Sequence, residues 1–205
     1  MTLIKQRFIA GVDEVGRGPL AGPVAVGVAI VPIEFDWTLL PGVGDSKVLK
    51  PKEREAIFRL ARELRAAGVL NFKVSASSHA VIDDRGIVFA VNQAMSRAFA
   101  DLKVKPTECL VLLDGALRAP STFERQRTII KGDATEKVIG LASILAKVTR
   151  DRYMTRMSTQ YPAYGFEIHK GYGTKKHCDL IREHGLSEIH RVTFCRNLQK
   201  CKVVL

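Results

Sequence analysis

Apolar residues arrive in short blocks along this chain, and three of the blocks run into a carboxylate. Phe8 to Val12 meets Asp13 and Glu14, Leu110 to Leu113 meets Asp114, and Thr128 to Ile130 leads through Lys131 and Gly132 to Asp133. Val24 to Val31, between Pro23 and Pro32, is a continuous Val-rich run, and Asn71 to Ser75 is a shorter one. Blocks of this length bounded by Gly and Pro predict buried strands. Helical spacing fills the intervals. Ala56, Ile57, Leu60, Ala61 and Leu64 predict a helix over 51–67, with Pro51 in its first turn and Gly68 at its end. Ile87, Val88, Val91, Ala94, Met95, Ala98 and Leu102 predict another over 87–102. A third and longer helix is predicted from about Thr135 to Tyr153. Strands alternating with helices predict an α/β domain with a mixed sheet flanked by helices. From Tyr161 the chain turns rich in Gly, His, Tyr and Lys (PAYGFEIHKGYGTKKH), so 1–160 reads as a core and 161–205 as a segment laid against it within one domain.

Composition narrows the function classes. At 205 residues the chain can bury a core without a disulfide or zinc staple. Its 32 Lys and Arg against 21 Asp and Glu give +11, and residues 121–205 alone hold 16 basic and 8 acidic side chains, an excess of +8. Such a balance suggests a polyanionic partner. No apolar run approaches the roughly 20 residues of a membrane span, and the N-terminal stretch does not read as a secretion signal. Four cysteines without a CxxC pair predict free thiols and a cytoplasmic protein, and the His and Cys spacing after residue 177 fits no standard zinc module. A monomer is expected.

The acids stand out against that positive background. Strand ends of an α/β sheet are where polar groups emerge into a cleft, so Asp13, Glu14, Asp114 and Asp133 are candidates for one cluster. Clustered carboxylates raise each other's pKa unless a divalent metal neutralises them. Hard oxygen ligands favour Mg²⁺ or Mn²⁺, and two such ions about 3.5–4 Å apart are a standard device for phosphodiester hydrolysis. Each acid has a plainer alternative: Asp13 beginning a turn, Glu14 pairing with Arg17, Asp114-Gly115 as a turn, and Asp133 as one end of a D-x-x-E capping box with Glu136. Gly16, Arg17 and Gly18 follow directly on the Asp-Glu pair, and their backbone could come close to a ligand. On the long helix, Ser143 and Lys147 share a face, with Arg150 nearby; this face meets phosphates, or Lys147 pairs with Asp151. Tyr172, between two glycines near Lys170, stacks on a sugar or base, or packs as a rim aromatic.

DEVGRGPLAGPV (13–24), DSK (45–47), LLDG (112–115), KGDAT (131–135), ASILAKVTRDRYM (142–154), YPAYGFEIHKGYGTKKH (161–177) and HR (190–191), in this order, resemble the bacterial type 2 ribonucleases H, the ribonuclease HII family. The resemblance implies a ribonuclease H-like fold with a helical C-terminal extension. It implies metal-dependent cleavage of RNA in RNA–DNA hybrids and of single ribonucleotides embedded in DNA duplexes, leaving 3′-hydroxyl and 5′-phosphate ends. It assigns metal binding, by Mg²⁺ or Mn²⁺, to Asp13, Glu14, Asp114 and Asp133. Ribose reading falls to Gly16, Arg17 and Gly18, and junction recognition to Tyr172. Ser46, Lys47, Ser143, Lys147, Arg150 and Lys170 complete the expected substrate contacts.

The match has departures. His169 and Gly86 stand where Asn is expected, and Val48 and Lys50 replace Lys and Ser after DSK. The C-terminal CRNLQKCKVVL shows no clamp-binding motif. A DNA-cutting nuclease of the same fold and a catalytically silent hybrid-binding module are the competing readings. The GRG loop argues against the first, since a 2′-hydroxyl distinguishes RNA from DNA. The complete set of acids argues against the second.

Overall fold

The computed structural model describes residues 6–44 and 49–199, so Asp45, Ser46, Lys47, Val48 and Cys201 lie outside the described residues. The strands are β1 (Phe8–Val15), β2 (Val24–Pro32), β3 (Asn71–Ser77), β4 (Cys109–Asp114) and β5 (Gln126–Ile129). The helices are α1 (Pro51–Ala66), α2 (His79–Arg85), α3 (Ile87–Leu102), α4 (Gly132–Thr135), α5 (Lys137–Gln160), α6 (Phe166–His169), α7 (Lys175–His184) and α8 (Val192–Gln199). The strands form one sheet in the order β3-β2-β1-β4-β5. β2 runs antiparallel to both β1 and β3, whereas β1, β4 and β5 are parallel, so the sheet is mixed as its alternation with helices predicts.

Helices cover both faces, which is why β2 is buried along its length apart from Pro32. α2 and α3 close one face over Val12, Val26, Val28 and Leu113. α1 and α5 close the other over Ala29, Val31, Phe72 and Leu112. The seat of α5 depends on two glycines in the strands. A Cβ on Gly11 would lie 2.2 Å from the carbonyl oxygen of Val138, and one on Gly27 would lie 2.3 Å from that of Ala142. Backbone therefore rests on backbone, and Ser143 arrives beside Asp13 at the end of β1.

Several elements differ from their predicted bounds. α5 continues to Gln160 because Met154 and Met157 keep burying a face, and it stops at Tyr161, the residue before Pro162. It starts two residues later than predicted because Glu136 is extended and separates it from the single turn of α4. α2, between β3 and Gly86, was not foreseen. It is too short to show a period, and it is capped by Ser78, whose hydroxyl accepts from the Val81 amide at 3.4 Å. Asp83 on α2 in turn accepts from the amides of Val192 (2.8 Å) and Thr193 (3.0 Å), which ties α8 to the core. Tyr164, Phe166 and Ile189 pack with Met154 and Met157 of α5, so the C-terminal segment sits on the same helix that crosses the sheet. Among the described residues no helix is long and apolar enough to cross a membrane.

Candidate active site

The parallel register sets the acids. Val12 pairs with Leu113, so Asp13 and Asp114 stand at the same level on neighbouring strands. Asp114 Oδ1 accepts from the Gly132 amide at 2.7 Å, which draws the start of α4, and Asp133 with it, to the end of β4. Asp133 lies in the first turn of α4, buried, and the N-cap of α5 is Glu136, so the predicted capping box does not form. Asp13 is 6% exposed; its Oδ1 accepts from the Glu14 amide at 2.8 Å, and its carboxylate has a side-chain hydrogen bond with Ser143.

Burial, above all, pushes the Asp13 carboxyl up to about 7, and the charges of Glu14 and Asp114 add to the effect. Burial also raises Glu14, against the pull of Arg17, whose Nη1 is 3.2 Å from Oε1. The other carboxylate oxygen, Glu14 Oε2, is buried without a hydrogen-bond partner. Among the described residues no three His, Cys, Asp or Glu side chains are already gathered into a metal-sized cluster. Three carboxylates that oppose one another's charge, one with an orphaned buried oxygen, nevertheless form a hard-oxygen donor set that suits a divalent cation.

Two buried arginines hold the neighbouring loop. Arg191, fully buried, donates to the carbonyls of Gly16 (2.7 Å), Arg17 (2.8 Å) and Gly22 (3.0 Å). Burial, and then the charge of Arg150, bring its pKa down to about 9. Peptide planarity turns this into a statement about amides. In a trans peptide the N–H points opposite the preceding C=O. With the Gly16 and Arg17 carbonyls turned in towards Arg191, the amides of Arg17 and Gly18 point out. Both residues are exposed, and nothing lies within 4 Å of a Cβ built on Gly18. Gly16 has φ +94°, and a Cβ there would lie 2.2 Å from Arg150 Nε, so this position accepts only glycine.

Arg150 does not face outward with Lys147, as a phosphate contact would require. It is 1% exposed and donates to Pro23 (2.9 Å), Ala21 (3.1 Å) and Lys170 (3.0 Å) carbonyls. The physical reason is that α5 is buried on nearly every side here, and the loop after Gly18 presents carbonyls that need donors. Lys147 pairs with Asp151 at 2.8 Å, the plainer of its two readings. Lys170 donates to Thr155 Oγ1 at 2.7 Å and the Glu167 carbonyl at 2.6 Å. Tyr172 remains 39% exposed, with Lys147 Nζ 5.7 Å and the Arg150 guanidinium 5.6 Å from its ring centre. The structure thus gathers Asp13, Glu14, Asp114, Ser143 and the GRG loop at one sheet end, with Arg150 bridging from that loop to the Tyr172 turn. Arg191 belongs to the HR pair of the motif series but was given no role there, because nothing local ties it to the Gly16–Gly18 loop.

A mixed sheet with acids at the parallel strand ends, a glycine loop beside them and a basic C-terminal segment define a nuclease of the ribonuclease H type. Residues 10–197 match the sequence profile of the family Ribonuclease HII. A ribonuclease HII from Endomicrobium trichonymphae is 45% identical over 186 residues, covering 91% of this chain and 84% of its own. The crystal structure of ribonuclease H2 from Pyrococcus horikoshii OT3 superposes with a TM-score of 0.73 at 28% identity, covering 94% of this chain and 97% of that one. Bst-RNase HIII in complex with Mn²⁺ shares the fold at a TM-score of 0.69 and 17% identity, covering 98% of this chain and 71% of that one. The chain belongs to the ribonuclease HII family, and is a type 2 endoribonuclease H acting on the RNA of RNA–DNA hybrids.

Proposed function

We propose that this enzyme also cuts on the 5′ side of single ribonucleotides embedded in DNA duplexes, leaving 3′-hydroxyl and 5′-phosphate ends, and that it does so with Mg²⁺ or Mn²⁺. The observation that carries the metal reading is the buried, partnerless Glu14 Oε2 beside an Asp13 carboxyl raised to about 7. Asp13, Glu14, Asp114 and Asp133 would hold the cation. When bound, such an ion polarises the phosphate and favours ionisation of an attacking water. The rest is the work of the chain itself. Ser143 steadies Asp13 through their hydrogen bond. The outward amides of Arg17 and Gly18 are donors for a 2′-hydroxyl, which a deoxyribose lacks. Tyr172 offers a half-open ring on which the following deoxy sugar packs, so loop and ring together read an RNA-to-DNA step. The exposed lysines of the C-terminal half, Lys175 and Lys176 among them, attract phosphates.

The test is a labelled duplex carrying one ribonucleotide, beside an all-DNA control, with Mg²⁺ and Mn²⁺ in parallel. The wild type is expected to cut only the first, and Asp114→Asn to lose most turnover while still binding. Wild-type rates from Asp114→Asn at ordinary Mg²⁺ would refute the metal assignment. Cleavage of both duplexes would instead favour a DNA nuclease. Independently of activity, millimolar Mg²⁺ or Mn²⁺ is expected to raise the melting temperature of the wild type by relieving carboxylate repulsion, and to raise that of Asp114→Asn less.

A further inference from the structure

The turn that carries Tyr172 is held by three imidazoles whose protonation can be read from their partners. His169 Nε2 lies 2.7 Å from the Tyr164 carbonyl, which only accepts, so Nε2 carries the proton. His169 Nδ1 then accepts from the Gly171 amide at 3.2 Å. His177 Nδ1 lies 2.9 Å from the Tyr172 carbonyl and is therefore a donor, leaving Nε2 as an acceptor. His190 Nδ1 accepts from the Ser187 amide at 2.9 Å, so its Nε2 carries the proton. The contact between His190 Nε2 and His177 Nε2, at 3.0 Å, then has one donor and one acceptor. Every partner is satisfied by three neutral rings, and by only one tautomer of each. The His169 and His177 rings also stack, with centres 4.1 Å apart.

The turn needs this support. Lys170 (φ 52°) and Gly171 (φ 82°) are consecutive left-handed residues, a conformation that a lysine adopts at a cost. The Tyr172 amide donates to the His169 carbonyl at 2.9 Å, so the turn is anchored by His169 backbone and ring alike. We propose that His169 and His177 are positioning residues for Tyr172. They fix the Gly171 amide and the Tyr172 carbonyl, and hence the direction in which the exposed ring faces the substrate. This rests on the reading of Tyr172 as the residue that meets the junction.

Two substitutions at 177 separate bonding from packing. His177→Asn places an amide N–H near the position of Nδ1 and discards the ring. His177→Phe keeps a ring and discards the donor. Cleavage of the one-ribonucleotide duplex and of a uniform RNA–DNA hybrid is measured for both, alone and combined with Tyr172→Ala, below their melting temperatures. Hydrogen exchange of residues 169–174 is followed in the same proteins. His177→Phe is expected to lower the junction-to-hybrid ratio roughly 3- to 10-fold, the worth of one hydrogen bond. His177→Asn is expected to restore it, and neither to add to the loss caused by Tyr172→Ala. Exchange in the turn should quicken in His177→Phe only. His169→Leu against His169→Asn gives the same comparison from the other ring, should a 177 variant not fold. If the Phe variant matches or exceeds the Asn variant in ratio and exchange, the rings only pack and the proposal is overturned. If exchange follows the hydrogen bond while Tyr172→Ala cleaves like wild type, positioning stands and the junction role of Tyr172 fails.

Discussion

Two exposed loops of this molecule, joined by Arg150, are held by opposite chemistry. The Gly16–Gly18 loop presents carbonyls to the interior, and arginine, which only donates, meets them from Arg191, while Arg150 takes the carbonyls of Ala21 and Pro23 just beyond it. The Lys170–Gly173 turn presents an amide at Gly171 and a carbonyl at Tyr172, and neutral imidazoles, which donate at one nitrogen and accept at the other, meet both. With the Gly16 and Arg17 carbonyls pointing in, the amides that follow them point outward. The first therefore exposes amide donors, while the second becomes a pedestal for a ring. Arg150 joins the two, since it also donates to the Lys170 carbonyl.

The comparison breaks most severely at Arg191. Arg191→Met leaves three inward carbonyls without donors, at about 1–3 kcal/mol for each that water does not reach. Melting temperature should fall markedly, and the preference for ribo- over deoxyribonucleotide at the cut should drop roughly tenfold or more, the equivalent of a lost hydrogen bond to the hydroxyl. Denaturant melts and paired-duplex cleavage measure both; unchanged preference in the folded variant would detach Arg191 from the loop's role. Tyr172→Ala comes next. Loss of stacking worth about 1–3 kcal/mol corresponds to roughly 5- to 150-fold on a single embedded ribonucleotide. Little change in melting temperature is expected, because the ring is partly exposed.

Acid distinguishes the two supports more gently. Burial pushes His177 and His190 down to about 4, whereas unfolded histidine titrates near 6.5. Between those values these two rings bind more protons in the unfolded chain than in the folded one, so their contribution to stability is complete above about pH 6.5 and declines as pH falls towards 4, while Asp13, raised to about 7 by burial, contributes the opposite slope. His177→Asn should remove its share of the decline, read as the difference between the melting curves of variant and wild type across that range. The arginine-held loop contributes nothing to this slope. The smallest effect is expected at Gly18, where a methyl group meets no protein atom within 4 Å. Gly18→Ala should keep stability within about 0.5 kcal/mol and slow cleavage of the embedded ribonucleotide a few-fold by standing against the sugar. An unchanged rate would place the sugar elsewhere.

The metal-site candidates at strand ends were readable from residue order alone. An apolar block that stops at a carboxylate marks where a strand nears its end; Glu14 and Asp114 are partly exposed there, whereas Asp13 stays buried inside β1. The core faces of α1 and α3 were equally plain in their spacing. Asp133 was found by the same rule for a different reason, since it sits one turn beyond β5 and is drawn in by the Asp114–Gly132 hydrogen bond. Local order could not show that Arg150 turns inward, nor that Arg191, more than 170 residues from Gly16, supports it. It could not assign the histidine tautomers either, because each is dictated by a backbone group that only the fold brings near. Periodicity and block ends are properties of neighbouring residues, and the chain by itself determined them. Which buried donor meets which buried carbonyl is a property of distant segments packed together, and the tertiary structure alone decided it.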